Sequence, residues 1–531
     1  MKQEGNKRFV IGITLVATLG GLLFGYDTAV ISGAVGSLQS FFIDSLQLDS
    51  DKAIQVVSEY RVTVSVVLLL ISSAVSGIFL KLFKGYKGYV FSAVLFIAAI
   101  VFIIYFVNKP KVLDEETANS LKGFAISSAL VGCIIGGASG GFISRSMGRK
   151  RGLILAASLF LISAVGSAIP EKMNFLGFET IVMFIFYRVI GGIGVGLASM
   201  ISPMYIAEIA PANIRGKLVS WNQFAIIFGM LVVYFVNYFI ARQGTDQWLI
   251  QTGWRWMFAS ETIPAVLFLS FLIFVPETPR FLVMNQNETG ALHVLNKITG
   301  KSRAAQVVQE IKESLREKNV PWLSYGGLVI VIGILLSVFQ QFVGINVVLY
   351  YAPEIFRNMG SQTDVSLLQT VVVGIVNLTF TVLAIQTVDK FGRKPLMLIG
   401  ALAMAASMFG LGLSFYFDSL GLVSLLFMLA YVAAFAMSWG PVTWVLLSEI
   451  FPNSIRGAMS IAVAAQWIAN LIISWTFPMM NDNSLLTELF NHGFSYWIYG
   501  LMGLLAALFM WKVVPETKGK TLEQMEGLWR K

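Results

Sequence analysis

Long apolar runs separated by short polar stretches cover almost the whole chain. A polar start carrying Lys7 and Arg8 leads into an apolar run from Phe9 to about Val35. That run can cross the roughly 30 Å of bilayer hydrocarbon and is too long for the core of a cleaved signal peptide, so it predicts a retained helix. Further spanning runs lie near 62–83, 89–107, 121–144, 152–169, 178–201, 219–240 and 256–275. A second set lies near 326–350, 366–388, 395–416, 420–447, 458–479 and 494–514. The pattern predicts an all-α membrane protein with about fourteen transmembrane helices. Between the sets, residues 279–322 are charged and helically periodic without a spanning run, which predicts a linker of short amphipathic helices.

Three short motifs occur twice, in one order and at nearly one spacing. Gly148-Arg149-Lys150 recurs as Gly392-Arg393-Lys394, and Pro276-Glu277-Thr278 recurs as Pro515-Glu516-Thr517. The segment from Glu208 through Pro211 to Arg215-Gly216 recurs from Glu449 through Pro452 to Arg456-Gly457. Such self-similarity marks an internal duplication, and two parallel six-helix repeats are expected. The interval from Gly25 to Gly148 is far longer than its counterpart from Gly344 to Gly392, and the surplus, about residues 50–115, holds two spanning runs. The expected organisation is an N-terminal transmembrane half, 1–278, with this inserted helix hairpin, a linker, 279–322, and a C-terminal half, 323–531. The hairpin lacks intramembrane amides and is expected to pack peripherally.

Charge sets orientation. Lys7 and Arg8, the hairpin turn with Lys81, Lys84 and Lys87, the linker, and Lys512 and Lys518 all fall where an even number of spans places the cytoplasm. A multi-pass inner (plasma) membrane protein with both termini cytoplasmic follows. With 56% hydrophobic and 13% charged residues and a mean hydropathy of +0.75, a soluble domain is excluded. The net charge of +9 resides in those short clusters, so no nucleic-acid partner is expected; the implied partner is the lipid bilayer, and a monomer suffices. A single cysteine, Cys133, allows no internal disulfide, and His293 and His492 are too few and too distant to suggest a metal. Neither a nucleophile–base set nor a metal cluster is legible, and an enzyme is not expected.

Asp27 sits among small and apolar residues in the first run, where a carboxylate is expensive unless neutral, paired or wet. Two roles remain open on the residues alone: a structural ion pair, or a proton carrier. Arg188 stands at the start of another apolar stretch, where an arginine can snorkel to the interface. Gln223, Gln340, Gln341, Asn346 and Gln466 are amides within spanning runs, each serving either an interhelical bond or a ligand. Phe24, Tyr350, Trp444 and Trp467 add rings. A neutral polyhydroxylated ligand with apolar C–H faces calls for this combination. The glycine run Gly191 to Gly196 has no preceding strand, so close helix packing is expected rather than nucleotide binding.

The segments Gly20 to Gly33, Tyr187-Arg188 to Gly196, Pro276 to Arg280, Gln340-Gln341 to Asn346 and Asp389 to Lys394 resemble the signatures of the sugar porters of the major facilitator superfamily. The resemblance covers nearly the whole chain outside the insertion, and within the family the chain is similar to the bacterial proton-coupled xylose branch. It departs from that branch in the insertion, in Arg145, and in Met230, where the branch has a glutamine. Met230 lies two turns after Gln223 on one helix face, so an apolar contact replaces a hydrogen-bonding one. The resemblance implies alternating access around a midplane site between the halves. Its substrate would be a monosaccharide, D-xylose or a related pentose or hexose, with the proton as coupling ion and no other cofactor. It further implies that Asp27 and Arg188 couple the proton, and that Gln223, Gln340, Gln341, Asn346, Trp444, Gln466, Phe24, Tyr350, Trp467 and Gly440 bind the sugar. Arg149 and Arg393, expected in loops after helices, with Glu208, Glu449 and Arg456, would gate the cytoplasmic side by charge-assisted pairs. An uncoupled facilitator of this kind carries an uncharged residue in place of Asp27, and a transporter-like sensor would add a long cytoplasmic domain.

The orientation has a direct test. With Cys133 replaced by alanine, a cysteine at Gly85 is expected to react with an impermeant thiol reagent in inside-out vesicles and not in intact cells. Labelling from outside intact cells would contradict the proposed crossing.

Overall fold

The chain lacks water for its backbone wherever it crosses the bilayer, and helices satisfy that demand internally. A computed structural model describes residues 6–83, 85–211, 214–316, 320–518 and 529, and among the described residues the regular structure is entirely helical. In the first half, α1 spans Lys7–Leu38, α2 Ser50–Leu82, α3 Tyr86–Asn108, α4 Glu115–Ser146, α5 Arg149–Ala168, α6 Thr180–Ile209 and α7 Arg215–Ala241. Three short helices follow, α8 Asp246–Trp248, α9 Trp254–Ser260 and α10 Thr262–Leu272, with a π turn over Leu249–Gly253. The linker forms α11 Pro279–Met284, α12 Glu288–Thr299 and α13 Lys301–Arg316. The second half comprises α14 Leu328–Phe342, α15 Ile345–Asn358, α16 Thr363–Phe391, α17 Arg393–Tyr416, α18 Leu422–Met437 and α19 Trp439–Ile450. It ends with α20 Met459–Asn481, α21 Ser484–Phe490 and α22 Phe494–Lys512.

Thirteen helical stretches among the described residues are long and apolar enough to cross a membrane. The remaining expected span, near 256–275, is the segmented series from α8 to α10, interrupted by the π turn and by Glu261. The linker, the Gly148 and Gly392 turns and the start of α1 lie on one face of the bundle, here the linker face; the opposite side is the far face.

Polar residues at helix starts explain several boundaries. Asp49 caps α2 by accepting from the Lys52 amide at 3.1 Å, so this helix begins twelve residues before the apolar run predicted from 62. Asp114 caps α4 through the Thr117 amide at 2.9 Å. The inserted helices hold the periphery. Only Gly88 and Ser92 of α3 are buried, and α3 leans on α2 through Phe91, whose ring lies 5.5 Å from Phe79 and 5.3 Å from Phe83. At its far-face end α2 docks on α4 by a 2.8 Å bond between the Tyr60 and Ser120 hydroxyls. At its other end Lys81 sits 5.6 Å from the Trp322 ring, and Lys84 lies outside the described residues.

The glycine run of α6 serves packing. A side chain at Gly192 would come within 1.8 Å of the Ala129 carbonyl on α4, and one at Gly196 within 2.6 Å of the Cys133 carbonyl. Small residues here let helix backbones touch. Gly192→Ala is therefore expected to destabilise by about 1–3 kcal/mol, read as a lower melting temperature in detergent. Gly12→Ala on α1, where a side chain meets nothing within 4 Å, should match or exceed the parent.

Candidate functional site

Two spanning helices of the second half are broken at the same level of the bundle. The first stops at Phe342 and restarts at Ile345, with Gly344 between at a φ of +92° that favours glycine. The second breaks between α18 and α19 at Ser438. A break leaves backbone groups without helical partners, which inside a membrane must be satisfied otherwise, and at the first break the Tyr431 hydroxyl donates to the Val343 carbonyl at 2.7 Å. Gln340 Nε2 donates to the Trp439 carbonyl at 2.9 Å and to the Gly440 carbonyl at 3.3 Å. Gln341 Nε2 then donates to Gln340 Oε1 at 3.4 Å, and Asn346 Nδ2 to Gln341 Oε1 at 2.5 Å. Three of the five amides singled out from sequence thus form one chain that ties the two breaks together, with Gly440 as an acceptor.

The other polar candidates keep unspent capacity. The half-buried Gln223 amide on α7 and the Trp444 indole on α19 have no hydrogen-bond partner among the described residues, and Gln466 Oε1 on α20 is buried without one. Aromatic contact joins the halves here: Phe24 of α1 lies 5.8 Å, centroid to centroid, from Trp467 of α20. Tyr350 is buried on α15. Met230 is buried on α7 against α1, where a side chain at Gly25 would approach its backbone.

One turn along α1 from Phe24, Asp27 is fully buried. Arg188 Nη1 donates to Asp27 Oδ1 at 2.7 Å and Nη2 to the Asp27 backbone carbonyl at 3.0 Å. Arg188 lies within α6 and is 1% exposed, so it does not snorkel: its guanidinium is held inside the bundle by Asp27 and rests 5.4 Å from the Phe258 ring. A second carboxylate, Glu261, stands against Asp27. It is fully buried, and apart from the other carboxyl no group among the described residues bonds either of its oxygens or Asp27 Oδ2. Sequence reasoning passed over Glu261, although an acidic residue in an apolar run is the signal that exposed Asp27.

On the linker face the duplicated motifs build the same cluster twice. Arg149 Nη2 lies 2.8 Å from Glu208 Oε1, and Arg393 Nη2 lies 2.8 Å from Glu449 Oε1. Thr278 Oγ1 donates to Glu208 at 2.6 Å, and Thr517 Oγ1 to Glu449 at 2.5 Å. The two arginines do not sit in loops: they are the first residues of α5 and α17, because the Glu277 and Glu516 carboxylates accept from the opening amides of those helices at 3.1–3.2 Å. Each of these arginine–glutamate pairs lies within one half. The Arg456 side chain lies outside the described residues.

On the far face, bonds cross between the halves. Lys122 of α4 pairs with Glu354 of α15 and, at 2.7 Å, with Asp482 after α20. Asn119 Nδ2 donates to the Asp482 carbonyl at 3.1 Å, and Trp475 Nε1 to the Ser120 carbonyl at 3.0 Å.

Comparison with known proteins places these features. Residues 13–529 match the sugar (and other) transporter family. The D-xylose-proton symporter of Escherichia coli K12 is 56% identical, the alignment covering 100% of this chain and 97% of that one. A glucose facilitated diffusion protein of Zymomonas mobilis is 39% identical over 100% of this chain and 99% of its own. The inward-open structure of the E. coli xylose transporter superposes with a TM-score of 0.77 at 55% identity, covering 98% of this chain and 100% of that chain. With duplicated halves and a match running nearly end to end, the chain belongs to the sugar transporter family of major facilitator transporters.

Proposed function

We propose that this protein is a proton-coupled sugar symporter that imports a monosaccharide, D-xylose or a closely related pentose or hexose, by alternating access. The linker face is cytoplasmic, both termini lie there, and the membrane is the inner (plasma) membrane. The observation that carries the coupling is the buried cluster of Asp27, Glu261 and Arg188, two carboxylates facing one guanidinium. Two ionised carboxylates and one cation leave an uncompensated charge in a dry site, and binding one proton removes it. The proton is the coupling ion in this reading, and no other cofactor is needed. Protonation at Asp27 converts its ion pair with Arg188 into a weaker neutral contact and loosens α1 from α6. Phe24, one turn away on α1, reaches Trp467 next to Gln466 in the other half, so a shift of α1 is felt at the sugar site.

The sugar's hydroxyls find donors and acceptors at Gln223, Gln341, Asn346, Trp444 and Gln466, and its C–H faces meet Phe24 and Trp467. Gln340, committed to two backbone carbonyls, chiefly holds the site together. Met230 removes one hydrogen-bonding group from the α7 wall. The far face is bridged between the halves and the likeness to the inward-open relative is high, so the structure is read as an inward-facing state. The arginine–glutamate pairs, being within each half, act by holding the ends of α4–α6 and α16–α19 as rigid units during the swing. Facilitated diffusion is the activity of one relative by name, and the buried Asp27, Glu261 and Arg188 cluster favours coupling instead.

Two tests follow. Asp27→Asn is expected to abolish uphill accumulation while retaining exchange of labelled sugar across vesicles; sugar-driven proton uptake undiminished in this variant would overturn the coupling. Gln223→Ala is expected to weaken sugar binding by roughly 1–3 kcal/mol at an unchanged melting temperature, since its amide has no partner among the described residues. Gln340→Ala should lower the melting temperature, because the side-chain bonds that tie α14 to the start of α19 and to Gln341 are lost. Wild-type sugar affinity in a folded Gln223→Ala would place the sugar elsewhere.

A further inference from the structure

The far-face seam contains a charge cluster that neither the sugar site nor the proton site uses. Lys122, 4% exposed, bridges Glu354 and Asp482 from the opposite half. Glu354 Oε2 is buried without a partner among the described residues, so the cluster is not a fully satisfied brace. Bringing Lys122 and Glu354 into a buried seam, with Asp482 at its edge, costs more than apolar packing of the same volume would, and stability alone gives no reason for it. An apolar seam, however, would penalise the open state by exposing its surface to water, whereas separated ions recover their hydration. A charged seam can therefore close firmly and still open at small cost. The surrounding bonds make the same crossing: Asn119 to the Asp482 carbonyl, the Glu115 carboxylate accepting from the Ser484 amide at 2.5 Å, and Trp475 to Ser120. Ser120 is also the anchor of Tyr60 on the inserted helix, so the insertion braces the N-terminal side of this seam.

We propose that Lys122, Glu354 and Asp482 form the outer latch of the transport cycle, closed in the inward-facing state and broken and hydrated each time the periplasmic side opens. The latch rests on the alternating-access reading above. Removing the lysine alone leaves two carboxylates of the C-terminal half unpaired in the closed seam, and opening relieves both their mutual repulsion and their lost hydration. Removing all three charges leaves nothing to drive opening.

The test uses the full-length protein with Cys133 replaced by alanine and spin labels at Leu176 and Phe417, both exposed on the far face, one in each half. Double electron–electron resonance without sugar is expected to give one distance in the parent. Lys122→Met should add a second, longer population, and the triple variant Lys122→Met/Glu354→Gln/Asp482→Asn should lose it again. Asp482→Asn, at the more exposed corner, should leave the short distance dominant and serves as a folded comparison if Lys122→Met is poorly expressed; in that event Lys122→Gln replaces it, with the same longer population expected. A lysine variant matching the parent, while saturating D-xylose still shifts the parent's distribution, overturns the latch. A distribution that no sugar and no variant moves overturns the alternating-access reading with it.

Discussion

Asp27 is a carboxylate with no exposure in the middle of a helical bundle, and such a charge persists only where a partner stands ready. Arg188 supplies it, with two bonds to the same residue. That demand constrains much of the first half. The α6 segment must approach α1 closely enough for a guanidinium to reach, which small residues permit: a side chain at Gly191 would come within 3.1 Å of Asp27 Oδ1. The same helix must lie against α4, where Gly192 and Gly196 allow backbone contact. The charged centre and the glycine run are thus two sides of one packing problem.

The second half solves a different one. Its breaks at Gly344 and Ser438 leave backbone groups without helical partners; the Tyr431 hydroxyl takes up the Val343 carbonyl, and Gln340 ties α14 to the first two carbonyls of α19. Discontinuous helices of this kind bring backbone and amide groups to the midplane, where a polar ligand can use them. The first half therefore offers a charge whose occupancy can change, and the second a set of neutral hydrogen-bonding groups. The Phe24–Trp467 contact joins the two.

Much of this architecture was legible in the sequence because the membrane makes it so. A spanning helix needs a long apolar run, and an acid or amide within one stands out; Asp27 and the amides were found on that basis. The duplication was legible because its motifs build one cluster twice, around Glu277 and Glu516. Other features carried no such signal. Gln340 and Gln223 look alike in sequence, and only the break at Ser438 shows that one is committed to the backbone and the other is not. Lys122 lies near the start of a helix, where a lysine usually meets water, and its burial depends on residues more than two hundred positions away. The extended start of α2 at Ser50 was set by the Asp49 cap rather than by hydropathy. Glu261 carried the same signal as Asp27 and was passed over because it sits where the helical run is interrupted.

The claim that one proton moves with each sugar is tested most directly by stoichiometry in the unmodified protein. De-energised vesicles of the wild type, in lightly buffered medium, would be given D-xylose while external pH and uptake of the labelled sugar are followed together. The account predicts alkalinisation of the medium in step with uptake, at about one proton per sugar, as expected for a cluster of two carboxylates and one guanidinium that takes up a single proton. Uptake of the sugar at full rate with no proton movement would contradict it.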